Sequence, residues 1–200
     1  NIFAIAQANL KRMLAYSTIS HIGFLLLGFV NGTPAGYAAA MFYMISYALM
    51  ATVAVGVIML LARAGFEAEE IDDFRGLNQR NPWYAGIMAL AMFSLAGVPP
   101  LFGFFAKLMV LKAVIDAGQL WLAIVAIVFA IIGLFYYLRV VKVMYFDAPQ
   151  DDAPLALPAD RAFRWSLSLN GLALLALGVA WSPLLEWCNR AFSVAADVAR

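Results

Sequence analysis

The sequence predicts an all-α fold: a polytopic bundle of transmembrane helices with one discontinuous helix near Pro99-Pro100. Three observations carry this. Of 200 residues, 65% are hydrophobic and only 12% charged, with a mean hydropathy of +0.86, against about 45–50% apolar and about 25% charged in a soluble domain. The charges that exist leave long uncharged stretches between them, and one of these stretches holds tandem prolines. A soluble globular enzyme is therefore not the leading class. A formal net charge of +1 offers no basic excess for nucleic acid, and the single Cys188 provides neither a disulfide framework nor a thiolate metal site.

The chain opens on Asn1 and an apolar run that lacks a basic n-region, so it does not read as a signal peptide. Residues 1–8 are read as the end of a truncated helix that starts outside this sequence. A span needs about 20 mostly apolar residues at 1.5 Å each. Between Arg12 and Arg63 lie 50 uncharged residues, broken by Asn31-Gly32-Thr33-Pro34, which predicts antiparallel spans over 12–30 and 37–62. Arg80 to Lys107 encloses 26 uncharged residues, Asp116 to Arg139 encloses 22, and Arg164 to Glu186 encloses 21. They predict spans over 82–115, 119–145 and 165–185. The first of these is too long for one ordinary helix. Pro99 and Pro100 remove two backbone donors near its middle, while Gly97 and Gly103 permit irregular or close backbone. It is read as two halves, 82–97 and 101–115, whose break must face protein or a hydrated cavity.

Alternating these spans places nine Lys/Arg residues on one face and three on the other, with Lys107 inside. The nine-residue face, with the hydrophilic connections 64–81 and 146–163, is predicted cytoplasmic. Acidic residues divide nine to three in the same sense, but they contribute little to orientation. The acidic cluster between Glu67 and Asp73 suits a short surface helix. Pro149, Pro154 and Pro158 make the second connection irregular. Neither connection is large enough to be a catalytic domain.

Lys107 follows the Pro99-Pro100 break by less than two turns. An ammonium near the bilayer centre costs at least about 2.5–3.5 kcal/mol, so its depth points to a residue that gains and loses a proton; the alternative is a lysine that snorkels to the interface. Lys112 and Asp116, four apart, read as boundary electrostatics. Lys11 and Arg12 taken alone read as an interfacial anchor. His21 lies two to three turns deeper, with Ser17 and Ser20 near enough to bond its ring, and it can titrate near neutrality; a structural neutral histidine is the competing reading. Tyr43 and Tyr47 share a helix face and offer hydroxyls for ordered water, against a role in an aromatic belt. The methionines are dispersed and read as adaptable packing. No CxxC, nucleotide fingerprint or histidine pair supports a haem, iron–sulfur, flavin or nucleotide site in this chain.

Two ordered motifs carry a resemblance. The run Gln7-Ala8-Asn9-Leu10-Lys11-Arg12-Met13-Leu14-Ala15-Tyr16-Ser17-Thr18-Ile19-Ser20-His21-Ile22-Gly23 is similar to a Lys-Arg, Leu-Ala-Tyr-Ser-Ser-Ile-Ser-His-x-Gly motif. The run Ser94-Leu95-Ala96-Gly97-Val98-Pro99-Pro100-Leu101-Phe102-Gly103-Phe104-Phe105-Ala106-Lys107 resembles Ser-Leu-Ala-Gly-Ile-Pro-Pro-x-x-Gly-Phe-x-x-Lys. Both are motifs of the antiporter-like membrane subunits of respiratory complex I and the related multisubunit cation/proton antiporters. Larger members of that family carry His-x-x-x-His and Phe-Lys where this chain has Tyr43, Tyr47 and Leu49-Met50, which sets it apart from them.

The resemblance implies a non-redox, proton-translocating subunit built on inverted repeats of five helices, each with a broken helix. It implies that Lys107 is the proton-handling lysine of the broken helix and Lys11 an intramembrane lysine that relays protons, in a bacterial inner membrane; His21, from its own chemistry, is the third relay candidate, with Tyr43, Tyr47, Pro99 and Pro100 as supporting polar or helix-break residues. It implies no cofactor or metal in this chain; NADH, FMN, iron–sulfur clusters and quinone belong to the wider complex. The implied partners are other membrane subunits, the peripheral redox arm and the lipid bilayer, with no nucleic acid. A subunit of a cation/proton antiporter or membrane hydrogenase complex is the alternative, and a sodium pathway would have to rely on backbone carbonyls near Pro99.

Overall fold

The computed structural model describes residues 1–30, 32–62, 68–149 and 160–198, with side chains described to residue 193. Arg63, Glu67, Pro154, Pro158 and Arg200, all used in the charge and loop expectations, lie outside the described residues.

Helix α1 covers only Ile2–Ile5, so the helix expected over 1–8 stops short. The chain then unwinds, because its backbone is claimed by other segments. Leu10 N–H donates to the Glu69 carbonyl at 2.6 Å and Ile71 N–H to the Ala8 carbonyl at 2.9 Å, while Arg139 Nη1 donates to the carbonyls of Ile5 and Gln7 at 3.3 and 3.1 Å. Asn9 restarts the helix by accepting the Arg12 N–H at 2.9 Å, the side-chain capping that an N-cap asparagine supplies. Helix α2 runs Leu10–Leu27. Thr33 caps α3, Pro34–Leu61, with Pro34 at a position whose N–H is not needed. The described part of the first connection holds a 3-10 turn, Ile71–Phe74, and the four-residue α4, Leu77–Arg80.

Asn81 and Pro82 repeat the cap-then-proline pattern at the start of α5, Pro82–Ala96. Then follow α6, Phe102–Asp116, and α7, Leu120–Phe146. The halves α5 and α6 have 15 residues each, short of the about 20 that a crossing needs, so they supply that length only as a pair. Among the described residues α3, α7 and the helix over Arg161–Val179 are long and apolar enough to cross a membrane singly.

The expected span 165–185 is replaced by two helices, α8 over Arg161–Val179 and α9 over Ser182–Val198. Pro183 sits in the first turn of α9, where its missing N–H is harmless, but it cannot continue α8. Glu186, read from the sequence as the span's far boundary, forms an exposed pair with Arg190 on α9 at 3.9 Å, while Cys188 of the same helix is buried.

Helices α5 and α8 run side by side in the same direction. Arg164 Nε donates to Tyr84 Oη at 2.8 Å and Trp83 Nε1 to Ser168 Oγ at 2.9 Å; further along, Gly171 meets Ile87 and Gly178 meets the Pro100 carbonyl. The interruption between α8 and α9 thus lies close to that between α5 and α6. Helix α3 runs antiparallel to both, touching Leu167 through Gly56 and Phe192 through Tyr37. Met50, Met88 and Met92 fill the core, whereas Leu120, Trp121, Ile131 and Phe135 leave one side of α7 apolar and exposed.

Candidate proton-handling site

Gly97 ends α5 with φ +87° and ψ 43°, the left-handed region open to glycine. The Val98 N–H returns to the Phe93 carbonyl and the Gly97 N–H to Ser94, both at 3.0 Å, which is a Schellman stop. The Pro99–Pro100 peptide is cis. In an uninterrupted helix residues 99 and 100 would donate to the carbonyls of Leu95 and Ala96, and prolines have no N–H to give. Those same two carbonyls accept from Lys107 Nζ, at 2.8 and 2.9 Å. The prolines strip the helix end and the lysine covers it, with its ammonium at the negative end of the α5 dipole.

Two contacts hold α6 in register for this. Gly103 N–H donates to Ser94 Oγ at 3.0 Å, and a Cβ on Gly103 would collide with the Ser94 carbonyl. Lys107 Nζ also lies 5.5 Å from the Phe24 ring centroid, within range of a cation–π attraction.

His21 is buried on α2, and tyrosines meet both its ring nitrogens: Nδ1 lies 2.7 Å from Tyr43 Oη and Nε2 3.0 Å from Tyr137 Oη. A neutral imidazole has one donor and one acceptor, so the two phenols must take opposite roles. Tyr47 stacks on the ring at 4.7 Å between centroids, and its hydroxyl lies 2.6 Å from Thr18 Oγ1. Tyr136 packs against Tyr137 and donates to Asn1 Oδ1 at 2.8 Å.

A cavity of about 10 Å³, on the scale of one water, is lined by His21, Lys107, Ser20, Asn1, Tyr136 and Tyr137. A second, of about 300 Å³ and mostly apolar, borders Lys107 between α6 and α7. A third, of about 240 Å³, extends from Lys11 past Ser17, Thr18 and Tyr47 to Leu95, whose carbonyl holds Lys107.

The structure therefore brings Lys107, His21, Tyr43, Tyr47, Pro99 and Pro100 into one region. Lys11 stands apart: its Nζ pairs with Glu69 Oε1 at 2.7 Å, and its side chain is 46% exposed. Lys112 and Asp116 are exposed at the far end of α6. Sequence reasoning missed Tyr136, Tyr137 and Asn1, and also Glu69 as the partner of Lys11. A tyrosine pair in mid-helix, one turn before Arg139, was the available signal. Among the described residues no three His, Cys, Asp or Glu side chains converge as metal ligands.

Residues 1–133 match the profile of a family described as NADH:quinone oxidoreductase/Mrp antiporter, transmembrane. Over 96% of its length the chain is 59% identical to NADH-quinone oxidoreductase subunit N of Xanthomonas euvesicatoria, covering 39% of that protein. Over 94% it is 60% identical to the protein of the same name from Acidithiobacillus ferrooxidans, again covering 39%. The chain thus spans about two fifths of the length of these curated relatives. Among solved structures it is similar to a chain of respiratory complex I from Thermus thermophilus with bound aureothin. That match has a TM-score of 0.81 and 29% identity, and covers 92% of this chain and 41% of the other.

Proposed function

This chain belongs to the NADH:quinone oxidoreductase/Mrp antiporter family of membrane proteins, and on that premise we propose that it is the proton-translocating, non-redox part of a subunit N of a bacterial NADH-quinone oxidoreductase. Its fold is an all-α polytopic membrane bundle with a discontinuous helix. The relatives named above support the choice of complex. In this reading electrons pass from NADH through FMN and iron–sulfur clusters to quinone in other subunits, and this chain contributes the proton step. Its longer connections face the cytoplasm of a cell with an inner membrane, and its partners are the neighbouring membrane subunits and the redox arm.

One observation carries the reading: Lys107 Nζ sits on the two carbonyls freed by the prolines and shares a water-sized cavity with His21. A lysine so placed can give or take a proton without a new partner being built, since the carbonyls accept from the amine as from the ammonium. His21 passes a proton from one ring nitrogen to the other between Tyr43 and Tyr137. Lys11, with Glu69, serves at the end of the Ser17–Thr18–Tyr47 cavity, and Tyr43 and Tyr47 orient the imidazole.

Lys107 is tested in the assembled complex carrying the full-length protein, reconstituted into liposomes. Lumen acidification driven by NADH is measured alongside quinone reduction. Lys107→Ala should assemble and show a clear loss of proton flux, with slower quinone reduction where coupling is tight. Lys107→Arg keeps the charge but cannot deprotonate, and should lose flux as well. A wild-type proton-to-electron ratio and turnover in Lys107→Arg would overturn the assignment, and uptake driven by sodium instead of NADH would move the chain to the antiporter branch.

A further inference from the structure

The paired starts of α5 and α8 enclose a pocket of about 340 Å³ lined by Trp83, Tyr84, Arg161, Arg164, Trp165 and Ser168. It lies outside the region around Lys107 and shares no lining residue with the cavities there. We propose that this pocket binds the phosphodiester of an anionic phospholipid, with the acyl chains laid along α8. The inference rests on the chain spanning a bilayer, but not on which face is cytoplasmic.

The chemistry of the lining selects the ligand. Two guanidinium groups on successive turns of one helix match the oxygens of a phosphodiester, which arginine can take in bidentate fashion. Arg164 is fixed in place: one of its five N–H groups goes to Tyr84 Oη at 2.8 Å, and its guanidinium lies 5.9 Å from that ring's centroid. Trp83 is held by Ser168 Oγ. Among the described lining residues none is a carboxylate; Asp160, next to Arg161, is turned to its own helix and accepts the Ala162 N–H at 3.4 Å. Tryptophan and tyrosine are enriched at headgroup level, and Trp83 and Trp165 are exposed here although both are large and apolar.

The surface below the pocket favours a lipid over an acidic peptide. Trp165, Leu169, Leu172 and Val179 are all exposed, and their spacing puts them on one face of α8. From Trp165 to Val179 the stripe is about 21 Å long at 1.5 Å per residue, more than the about 15 Å of one hydrocarbon leaflet. A lipid held by its phosphodiester would lay its chains along that stripe, whereas an acidic peptide would make no use of it.

The test uses the full-length protein in its assembled complex, placed in phosphatidylcholine bilayers with a trace of photoactivatable phosphatidylglycerol or, in parallel, photoactivatable phosphatidylcholine. Crosslinks are mapped by mass spectrometry to residues 161–172. Phosphatidylglycerol should crosslink there in excess. Each arginine near a membrane surface is worth roughly fivefold in occupancy, so Arg161→Gln with Arg164→Gln should lower the yield roughly 25-fold, and the double lysine variant, which keeps the charge but not the paired N–H groups, should give an intermediate yield. Arg161→Gln alone, in which the Arg164–Tyr84 bond is kept, should lower the yield roughly fivefold and serves if the double variant fails to assemble. Equal yields from the two lipids would overturn the proposal. So would displacement by excess inorganic phosphate at constant ionic strength, which would assign the pocket to a free anion, or the absence of any lipid crosslink, which would mean that protein covers the site. The NADH-driven proton flux measured on the same samples separates failure of this site from failure of the pumping assignment.

Discussion

At His21 the two tyrosyl hydroxyls are not interchangeable with apolar packing. Tyr137→Phe removes one oxygen and leaves Nε2 facing a phenyl ring, and a buried nitrogen without its partner costs about 1–3 kcal/mol. The variant should therefore unfold at a lower temperature in a melt of the purified complex, and on the proposed relay it should also pump more slowly in NADH-energised liposomes, because the imidazole loses one of its two tyrosine neighbours. A lower melting point with unchanged pumping would make Tyr137 a packing residue only. Lys107, His21, Tyr43 and Tyr47 were legible in the sequence because each stands beside a helix break or shares a face with another polar residue on its own helix. Tyr137 was not, since it meets His21 from 116 residues away, and periodicity reports only neighbours on the same helix. Lys11 shows the same limit: its character depends on Glu69, a residue of a different connection.

The break between α5 and α6 depends on how closely two backbones approach. A methyl at position 103 would meet the Ser94 carbonyl, which is main chain and cannot rotate away. Gly103→Ala should thus destabilise the protein by about 1–3 kcal/mol and lower proton flux with Lys107 unaltered. Gly86→Ala, on the same α5–α6 element but with nothing within 4 Å of the added Cβ, should be neutral or stabilising by about 0.5–1 kcal/mol. Chemical denaturation of the two variants in matched detergent compares them directly; equal losses would show that the close approach at 103 is not what holds the halves together. This interruption was readable from excess length and tandem proline. The one at Ala180–Trp181 was signalled by Ser182-Pro183 but passed over, because the stretch from Arg164 to Glu186 already has the length of a single span and counting charges sees no break within it. The unwinding after Ile5 was hidden for another reason: the groups that take its backbone, Arg139 and the Glu69 to Ile71 strand-like segment, belong to distant parts of the chain.

For the molecule as a whole, the orientation proposed from the Lys/Arg count can be read with single cysteines in a Cys188→Ser background. Asp72→Cys and Ala148→Cys, both exposed, should react with an impermeant thiol reagent only in inside-out vesicles, and Ala117→Cys only in right-side-out ones; the reverse pattern would invert the topology. Within that frame, the grip of Lys107 on the carbonyls of Leu95 and Ala96 has a thermodynamic consequence. The ammonium is tied to the last turn of α5 while its backbone belongs to α6, so the separation of the two half-helices and the proton occupancy of the side chain are linked variables. Linkage is reciprocal: if displacing α6 from α5 changes the affinity of Lys107 for a proton by some factor, then gain or loss of that proton biases the displacement by the same factor. In the proposed pump, the work of moving α6 against α5 and the work of loading Lys107 with a proton would share one coupling free energy at this joint.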